Sequence, residues 1–201
     1  MIWDASADER AEAIIARYPD RRSAVMPLLY LVMGIEGRLT EEGMRQVGVL
    51  TGMTPVQVES VASFYNMFKQ EVGAHLVSVC RSISCHLRGA GEVLDAAVDA
   101  AGTHPGGTSE DGTVTVESAE CIGACGGAPA IQVDYETVEG LTPEKVAELV
   151  HWLRQAKPAE VRGDDLQERF GGDRAFDWGP EEEAAARGPF PAFEPFGTVA
   201  P

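Results

Sequence analysis

The sequence predicts an α+β protein in which a bundle of helices precedes a small sheet covered by helices. Up to about residue 72, apolar residues recur at helical spacing between strong helix start and stop signals. From Ala74 the pattern changes to short β-branched runs that alternate with helical segments, in the order β-α-β-β-α. We therefore expect a helical domain at 1–72, a sheet domain at 73–157 and a tail at 158–201.

Four helices are expected in the first domain. They are predicted to run to about Tyr18, from Ser23 to Ile35, from Thr40 to Leu50, and from Pro55 onward. The fourth has the clearest start, because Thr54 can cap the helix, Pro55 suits the first helical position and Gln57 can bond back to the cap. Four successive helices of this kind predict a helical bundle.

The second domain combines strand-like and helical runs. The strand-like runs are HLVSVC, GTVTVES and PAIQVDYE, and the helical run RGAGEVLDAAVDAAG lies between the first two. A last helix is expected to begin at Thr142 and Pro143 and to end near Ala156. This order suggests a small sheet with helices packed on it, an α+β or thioredoxin-like unit.

Composition excludes several classes of function. The formal charge of −16 has the wrong sign for binding phosphate backbones or anionic lipid. The longest apolar stretch, around VMPLLYLVMGI, is about half of the ~20 residues that span a bilayer. The acidic N-terminus is unlike a secretory or organellar targeting peptide. We expect a cytoplasmic protein that has no membrane span and binds no nucleic acid.

The tail has a different composition. Residues 158–201 hold six of the twelve prolines and five of the seven phenylalanines, together with an excess of acidic residues. One interpretation is a disordered acidic tail. The other is a docking segment, because FDWGP and GPFPAFEPF space aromatic residues along a Pro-stiffened chain that could lie in a groove of a partner. On this hypothesis, the Phe and Trp side chains of residues 170–196 bind a neighbouring subunit.

All four cysteines fall into two clusters. Cys80 and Cys85 lie in CRSISC, and Cys121 and Cys125 lie in CIGAC. The first pair is predicted where a strand ends and a helix begins, and the second in a Gly-rich loop between strands. Folding could bring both loops to one end of the sheet and form a four-thiolate site. Four cysteines are too few for a disulfide scaffold in a chain of this size, and a reducing compartment would keep them as thiols.

Four thiolates suit either zinc or an iron–sulfur cluster. Structural zinc sites often use tight C-x₂-C pairs, whereas the wider gaps here suit ligands that bind two separate irons. Gly123, Gly126 and Gly127 would also let backbone N–H groups approach bridging sulfides. Spacing favours iron–sulfur, with zinc or redox-active thiols as alternatives.

The histidines show no ligand spacing, and His86 is expected to be exposed at a helix start. No phosphate-binding motif is present, so no nucleotide site is expected on this chain.

Beyond the cysteines, several segments resemble the E subunit family of NADH-quinone oxidoreductases, which includes related subunits of NAD-linked hydrogenases and formate dehydrogenases. The similar segments are YPDRRSAVMPLLYLV, VESVASFYNMF, VCRSISCHLRGA, ECIGACGGAPAIQV and LTPEKV, which together span about residues 18–157. The ligands of that family match Cys80, Cys85, Cys121 and Cys125 one for one. The long C-terminal extension is not a shared feature that we identify.

The resemblance implies a thioredoxin-like [2Fe–2S] ferredoxin domain that carries one cluster. It implies that the chain is a non-nucleotide-binding subunit of NADH:quinone oxidoreductase, respiratory complex I. The expected partners are a flavin subunit that binds FMN and NADH and a further iron–sulfur subunit. The complex would lie on the cytoplasmic side of the inner membrane. The cluster would exchange single electrons with FMN after NADH oxidation.

Three alternatives remain open. The chain could be the equivalent subunit of an NAD-linked hydrogenase or formate dehydrogenase, because the terminal acceptor is handled by other subunits. It could be an autonomous ferredoxin, although the helical domain favours a subunit that needs surface for its neighbours. It could also be a zinc-stapled structural protein.

Overall fold

The computed structural model describes residues 3–175 and 185–189. These residues form two compact units, the first within residues 3–71 and the second from residue 72 onward. The described residues contain eight α-helices and a four-stranded sheet, which confirms the predicted α+β class. No helix in these ranges is long and apolar enough to cross a membrane.

The first unit consists of helices. They are α1 (Ala5–Ile15), α2 (Val25–Glu36), α3 (Glu41–Thr51) and α4 (Pro55–Phe64), with a 3₁₀ turn at Arg21–Ala24 before α2. The predicted reciprocal cap of α4 is confirmed, because Gln57 N–H donates to Thr54 Oγ1 (3.4 Å) and Thr54 N–H donates to Gln57 Oε1 (3.0 Å). At the end of α2, Gly37 adopts a left-handed conformation (φ +72°), which glycine permits without steric cost.

Helix α2 forms the centre of the first unit. The other three helices of the unit contact it. Its apolar side chains are buried on adjoining faces, and the fully enclosed ones are Leu28, Leu29, Leu31, Val32 and Met33. A helix that is apolar on most of its circumference is stable only when neighbours cover it. The apolar run that contains α2 is therefore a core element.

The second unit is built on a mixed sheet with strand order β2-β1-β3-β4. The strands are β1 (His75–Cys80), β2 (Val114–Ala119), β3 (Ala130–Val133) and β4 (Glu136–Glu139). Strand β1 pairs in parallel with β2 and antiparallel with β3, and β3 pairs antiparallel with β4. Every residue of β1 is buried because strands flank it on both sides and helices pack on the sheet.

Helices connect and cover these strands. They are α5 (Ile83–Leu87), α6 (Ala90–Ala101), α7 (Pro143–Ala156) and α8 (Gly163–Phe170). Helices α6 and α7 pack against each other and against β2. Their core includes Val77, Val79, Val93, Val116, Leu149 and Leu153. As predicted, α7 begins at Thr142 and Pro143, and Lys145 N–H donates to Thr142 Oγ1 (3.3 Å).

The run PAIQVDYE is not the single strand that was expected. It contains β3, a turn and the first residue of β4, and so forms the first part of a hairpin. Asp134 and Tyr135 both have positive φ (51° and 73°) and form the two-residue turn between β3 and β4. Asp134 is held there by tertiary contacts: its Oδ1 accepts from Leu76 N–H (2.8 Å), and its Oδ2 lies 2.7 Å from His75 Nδ1. The turn lacks glycine, so the local sequence did not indicate it.

The segment after Lys157 also differs from expectation where the structure describes it. Helix α8, which was not predicted, packs against β4 and α7. Phe170 was assigned to partner docking, but it is buried in the core of the second unit with its ring centroid 5.6 Å from that of Trp152. The other aromatic residues assigned to docking, Phe176, Trp178, Phe190, Phe193 and Phe196, lie outside the described residues.

The packing of α7 predicts the effect of truncating one core side chain. Leu149 is fully buried (0% exposed), so Leu149→Ala should lower the free energy of unfolding by about 2–5 kcal/mol through lost burial and a residual cavity. Leu87 is 79% exposed, so the control Leu87→Ala should change that free energy by less than about 0.5 kcal/mol. Urea denaturation measures both, and equal losses would contradict the assignment of the core.

Candidate iron–sulfur site

The ends of β1 and β2 and the start of β3 lie together at one end of the sheet, which we call the site edge; it runs across the strand ends and is distinct from the outer strand β4. In the parallel pair, Cys80 at the end of β1 lies opposite Ala119 at the end of β2. In the antiparallel pair, Val79 lies opposite Ile131, so the start of β3 reaches the same edge. A single loop connects β2 to β3 there, and it carries both Cys121 and Cys125. The topology therefore brings both cysteine clusters to one edge, as the sequence predicted.

The first pair of thiols is buried. Cys80 and Cys85 are 2% and 1% exposed. They lie in a small apolar cluster whose other buried members are Ala90, Ala124, Ala128 and Ala130. On α5, Cys85 faces this cluster. Ile83 and Leu87 lie two residues to either side of it, on another face of the helix, and are exposed. The small alanine side chains leave the thiols as the largest buried groups of the cluster.

Burial changes the proton affinity of Cys85. Desolvation raises the pKa of its thiol to about 11, and interactions with Cys80 and Cys125 add to the rise. Binding of an iron ion to Cys85 requires loss of this proton, so ligation couples to proton release.

The second pair is open to solvent. Cys121 and Cys125 are both exposed, and no cysteine of the chain forms a disulfide. The loop turns at Gly123, which has positive φ (+85°), and continues through a 3₁₀ turn, Cys125–Gly127. The Cys80 thiol lies 3.7 Å from the carbonyl oxygen of Glu120, to which it donates. This contact joins the buried pair to the start of the exposed loop.

The donor set suits a cluster that soft thiolates bind. Four free thiols line one sheet edge, two of them screened from water and two facing it. In the described part of the chain, no three Cys, His, Asp or Glu side chains converge closely enough to hold a single metal ion. The fold thus places the four thiols at the same end of the sheet, but not in the arrangement that would bind a single metal ion.

Two histidines lie on the elements that carry the first cysteine pair. His75 begins β1, at the opposite end of the strand from Cys80, and is buried against Asp134. His86 is exposed on α5, as predicted. That no histidine is a ligand stays a prediction.

Sequence reasoning missed one residue beneath the second loop. Glu139, at the end of β4, is 1% exposed, and its side chain lies against Gly127. A Cβ added to Gly127 would lie 2.5 Å from Glu139 Cδ and 2.6 Å from Glu139 Cβ. The alternation of β4 gives no hint of a buried carboxylate, because ETVE resembles a solvated edge strand.

Fold and site together define a class of α+β domains that carry thiols at the edge of a mixed sheet. The family of thioredoxin-like [2Fe–2S] ferredoxins matches residues 11–154, and the chain belongs to this family. This match is consistent with one [2Fe–2S] cluster as the group that such a domain carries.

Two curated relatives extend the comparison. The chain is 41% identical over 158 residues to the E subunit of NADH-quinone oxidoreductase from Mycobacterium tuberculosis, covering 78% of this chain and 63% of the relative. It is 39% identical over 153 residues to "NADH-quinone oxidoreductase subunit 2" of Thermus thermophilus, covering 74% of this chain and 84% of the relative. The chain thus spans less than two thirds of the mycobacterial relative.

A solved structure shares the fold. The NAD+-reducing [NiFe]-hydrogenase in the air-oxidised state superposes with a TM-score of 0.61 and 18% identity, covering 72% of this chain and 25% of that chain. At this level of identity the similarity shows the fold alone.

The contact between Gly127 and Glu139 predicts a sensitive position in the second loop. Gly127→Ala should displace either the loop or Glu139 and so lower cluster content in the purified protein. The matched control is Gly91→Ala in α6, where an added Cβ meets nothing within 4 Å and alanine is the better helix former. Iron and acid-labile sulfide per chain measure the outcome. Full cluster content in Gly127→Ala would contradict the expected clash.

Proposed function

We propose that this chain is the [2Fe–2S] electron-transfer subunit of an NADH:quinone oxidoreductase, with Cys80, Cys85, Cys121 and Cys125 as the cluster ligands. The observation that carries this proposal is the meeting of both cysteine pairs at one sheet edge in a chain of the ferredoxin family. A bound [2Fe–2S] cluster supplies one-electron transfer. The names of the curated relatives support the kind of complex.

Each thiol pair has its own role in this proposal. Cys80 and Cys85 hold their ligand atoms in an apolar, water-excluding cluster of side chains, which limits access of solvent to that side. Cys121 and Cys125 hold theirs at the surface, where an electron partner can approach. The thiol proton of Cys85 leaves on ligation, because thiolate and not thiol binds iron.

The NADH chemistry belongs to a partner in this proposal. The sequence has no phosphate-binding motif, so we place FMN and NADH on a flavin subunit, with a further iron–sulfur subunit in the same complex. Single electrons would pass between FMN and the cluster after hydride transfer to the flavin. We place the complex at the inner membrane, with this subunit peripheral on the cytoplasmic side.

A second candidate is the equivalent subunit of an NAD-linked hydrogenase. The fold similarity to the NAD+-reducing [NiFe]-hydrogenase is the observation that favours it. Co-purification from the source cell distinguishes the two, because nickel in the isolated complex would indicate the hydrogenase and quinone reduction the oxidoreductase. A flavin subunit in either complex also separates both from an autonomous ferredoxin.

The ligand assignment predicts the effect of replacing single thiols. Cys121→Ser and Cys125→Ser should lose the cluster or bind it weakly, because serine oxygen ligates iron less well than thiolate. Anaerobic purification, visible absorption, iron and sulfide assays and reduced-state EPR measure this loss. The matched control is Ser84→Ala, a hydroxyl removed between the first two ligands without loss of a thiol. An unchanged EPR signal in both Cys variants, or a colourless wild-type protein with stoichiometric zinc, would refute the assignment.

The docking hypothesis stays a proposal for the Phe and Trp side chains of residues 176–196, and a truncation chosen from the structure tests the three of them that follow Pro189. A stop codon after Pro189 keeps α8 and the backbone bonds between Val161 and Ala186 (2.8 and 2.9 Å). We expect the truncated chain to keep its cluster and to co-purify less flavin subunit than the full chain. Equal co-purification would remove the docking role, and the full chain purified in parallel is the control.

A further inference from the structure

A buried glutamate connects the second ligand loop to the segment that follows α7. Glu139 ends β4, and its side chain supports Gly127, two residues after Cys125. The loop is also bonded to this point through its backbone, because Gly140 N–H donates to the carbonyl oxygen of Gly127 (2.7 Å). A displacement of Glu139 would therefore be transmitted to the loop that carries Cys125.

Glu139 is in turn held by α8 and the residues after it. Glu139 N–H donates to Gln167 Oε1 (2.7 Å), and Gln167 Nε2 donates to the carbonyl oxygens of Glu139 (3.1 Å) and Gly172 (2.9 Å). Gly172 N–H donates to the Glu139 carbonyl (2.9 Å), and Ala175 N–H donates to Glu139 Oε2 (2.9 Å). Gln167 is only 9% exposed, so its amide is a buried bridge.

The two chain segments approach closely because they cross at glycines. Gly140 follows Glu139 with positive φ (+67°), and a Cβ added there would lie 3.0 Å from Gly172 Cα. A side chain on Gly172 would meet the carbonyl oxygen of Gly140. Only residues without a Cβ allow this crossing, which brings the backbone of residues 171–175 within hydrogen-bond reach of β4.

We propose that residues 163–175 act as a clamp that positions the second ligand loop of the cluster, with Gln167 as the positioning residue and Glu139 as the link to Gly127. The clamp lies beyond residue 154, where the family match ends, so it is supplied by the C-terminal extension. The proposal rests on the proposed function, because it takes Cys121 and Cys125 as cluster ligands.

The clamp has a consequence for the cluster besides stability of the fold. Reduction potential and cluster retention depend on the hydrogen bonds and solvent access around the ligand sulfurs. A loop that is fixed from beneath holds its backbone N–H groups in one arrangement around Cys125. Loosening the clamp should therefore quicken cluster release and alter the spectroscopic signature, while the rest of the unit stays folded.

The test is Gln167→Leu in the full chain loaded with its cluster. Leucine is similar in size but leaves Glu139 N–H without its partner. The variant loses all three hydrogen bonds of the Gln167 amide, so we expect release of iron to a chelator to be faster by about tenfold or more. The g-values of the reduced cluster and its midpoint potential should also shift. Amide hydrogen exchange of residues 125–128 should be faster with or without cluster.

Two controls separate positioning from general destabilisation. Glu168→Leu changes the exposed neighbour on the same helix and should match the wild type. Leu149→Ala removes a buried apolar group from α7, outside the clamp, and leaves the Gln167 amide in place, so it should lower the free energy of unfolding without shifting g-values or potential. If Gln167→Leu does not fold, Ala175→Pro is the second variant: it removes the N–H that Glu139 Oε2 accepts and fixes φ at residue 175, and the same shifts are expected.

The outcomes separate the two proposals. Gln167→Leu with wild-type release, g-values and potential would overturn the clamp and leave the proposed function intact. The same holds if Leu149→Ala reproduces every shift at equal stability loss. A wild-type chain that binds no cluster would overturn the proposed function, and the exchange rate of residues 125–128 would then decide the clamp alone.

Discussion

The pairing of β1 with a parallel strand on one side and an antiparallel strand on the other determines the site. A parallel neighbour places the end of β2 beside the end of β1, and an antiparallel neighbour places the start of β3 there as well. The connection from β2 to β3 can then be a short loop at that edge, and this loop carries Cys121 and Cys125. With three parallel strands, the chain would have to cross the sheet before β3 could begin, so β2 and β3 could not be joined by a short loop at this end of the sheet.

The same pairing explains why the two thiol pairs differ. Cys80 ends the central strand and Cys85 lies on the inner face of α5, so both are enclosed by alanines of the surrounding elements. The second pair lies on a loop, which must remain at the surface because its backbone groups lack regular partners. One side of the proposed cluster is therefore dry and the other accessible. That asymmetry suits a relay that must exclude water yet exchange electrons with a neighbour.

Local signals in the sequence predicted the parts of the structure that depend on local chemistry. The cap formed by Thr54 and Gln57, the start of α7 and the strand–helix position of the first cysteine pair are encoded within a few residues. The hairpin at Asp134 was missed because its left-handed turn is stabilised by contacts with His75 and Leu76, which are distant in sequence. Glu139 was missed for the same reason, since its burial arises from the extension rather than from β4.

Helix α8 shows how an edge strand can be protected and used at once. Strand β4 pairs with β3 on one side only, and an unpaired edge exposes backbone groups that other chains can bind. Gln167 and Gly172 satisfy the N–H and carbonyl groups of Glu139 at that edge. A purely apolar cover would leave these backbone groups buried without hydrogen-bond partners, and it would not fix the position of the strand end relative to the ligand loop. The Gln167 amide pairs these backbone groups and also fixes the position of Glu139, because hydrogen bonds are directional. Glu139 in turn lies against Gly127 in the ligand loop.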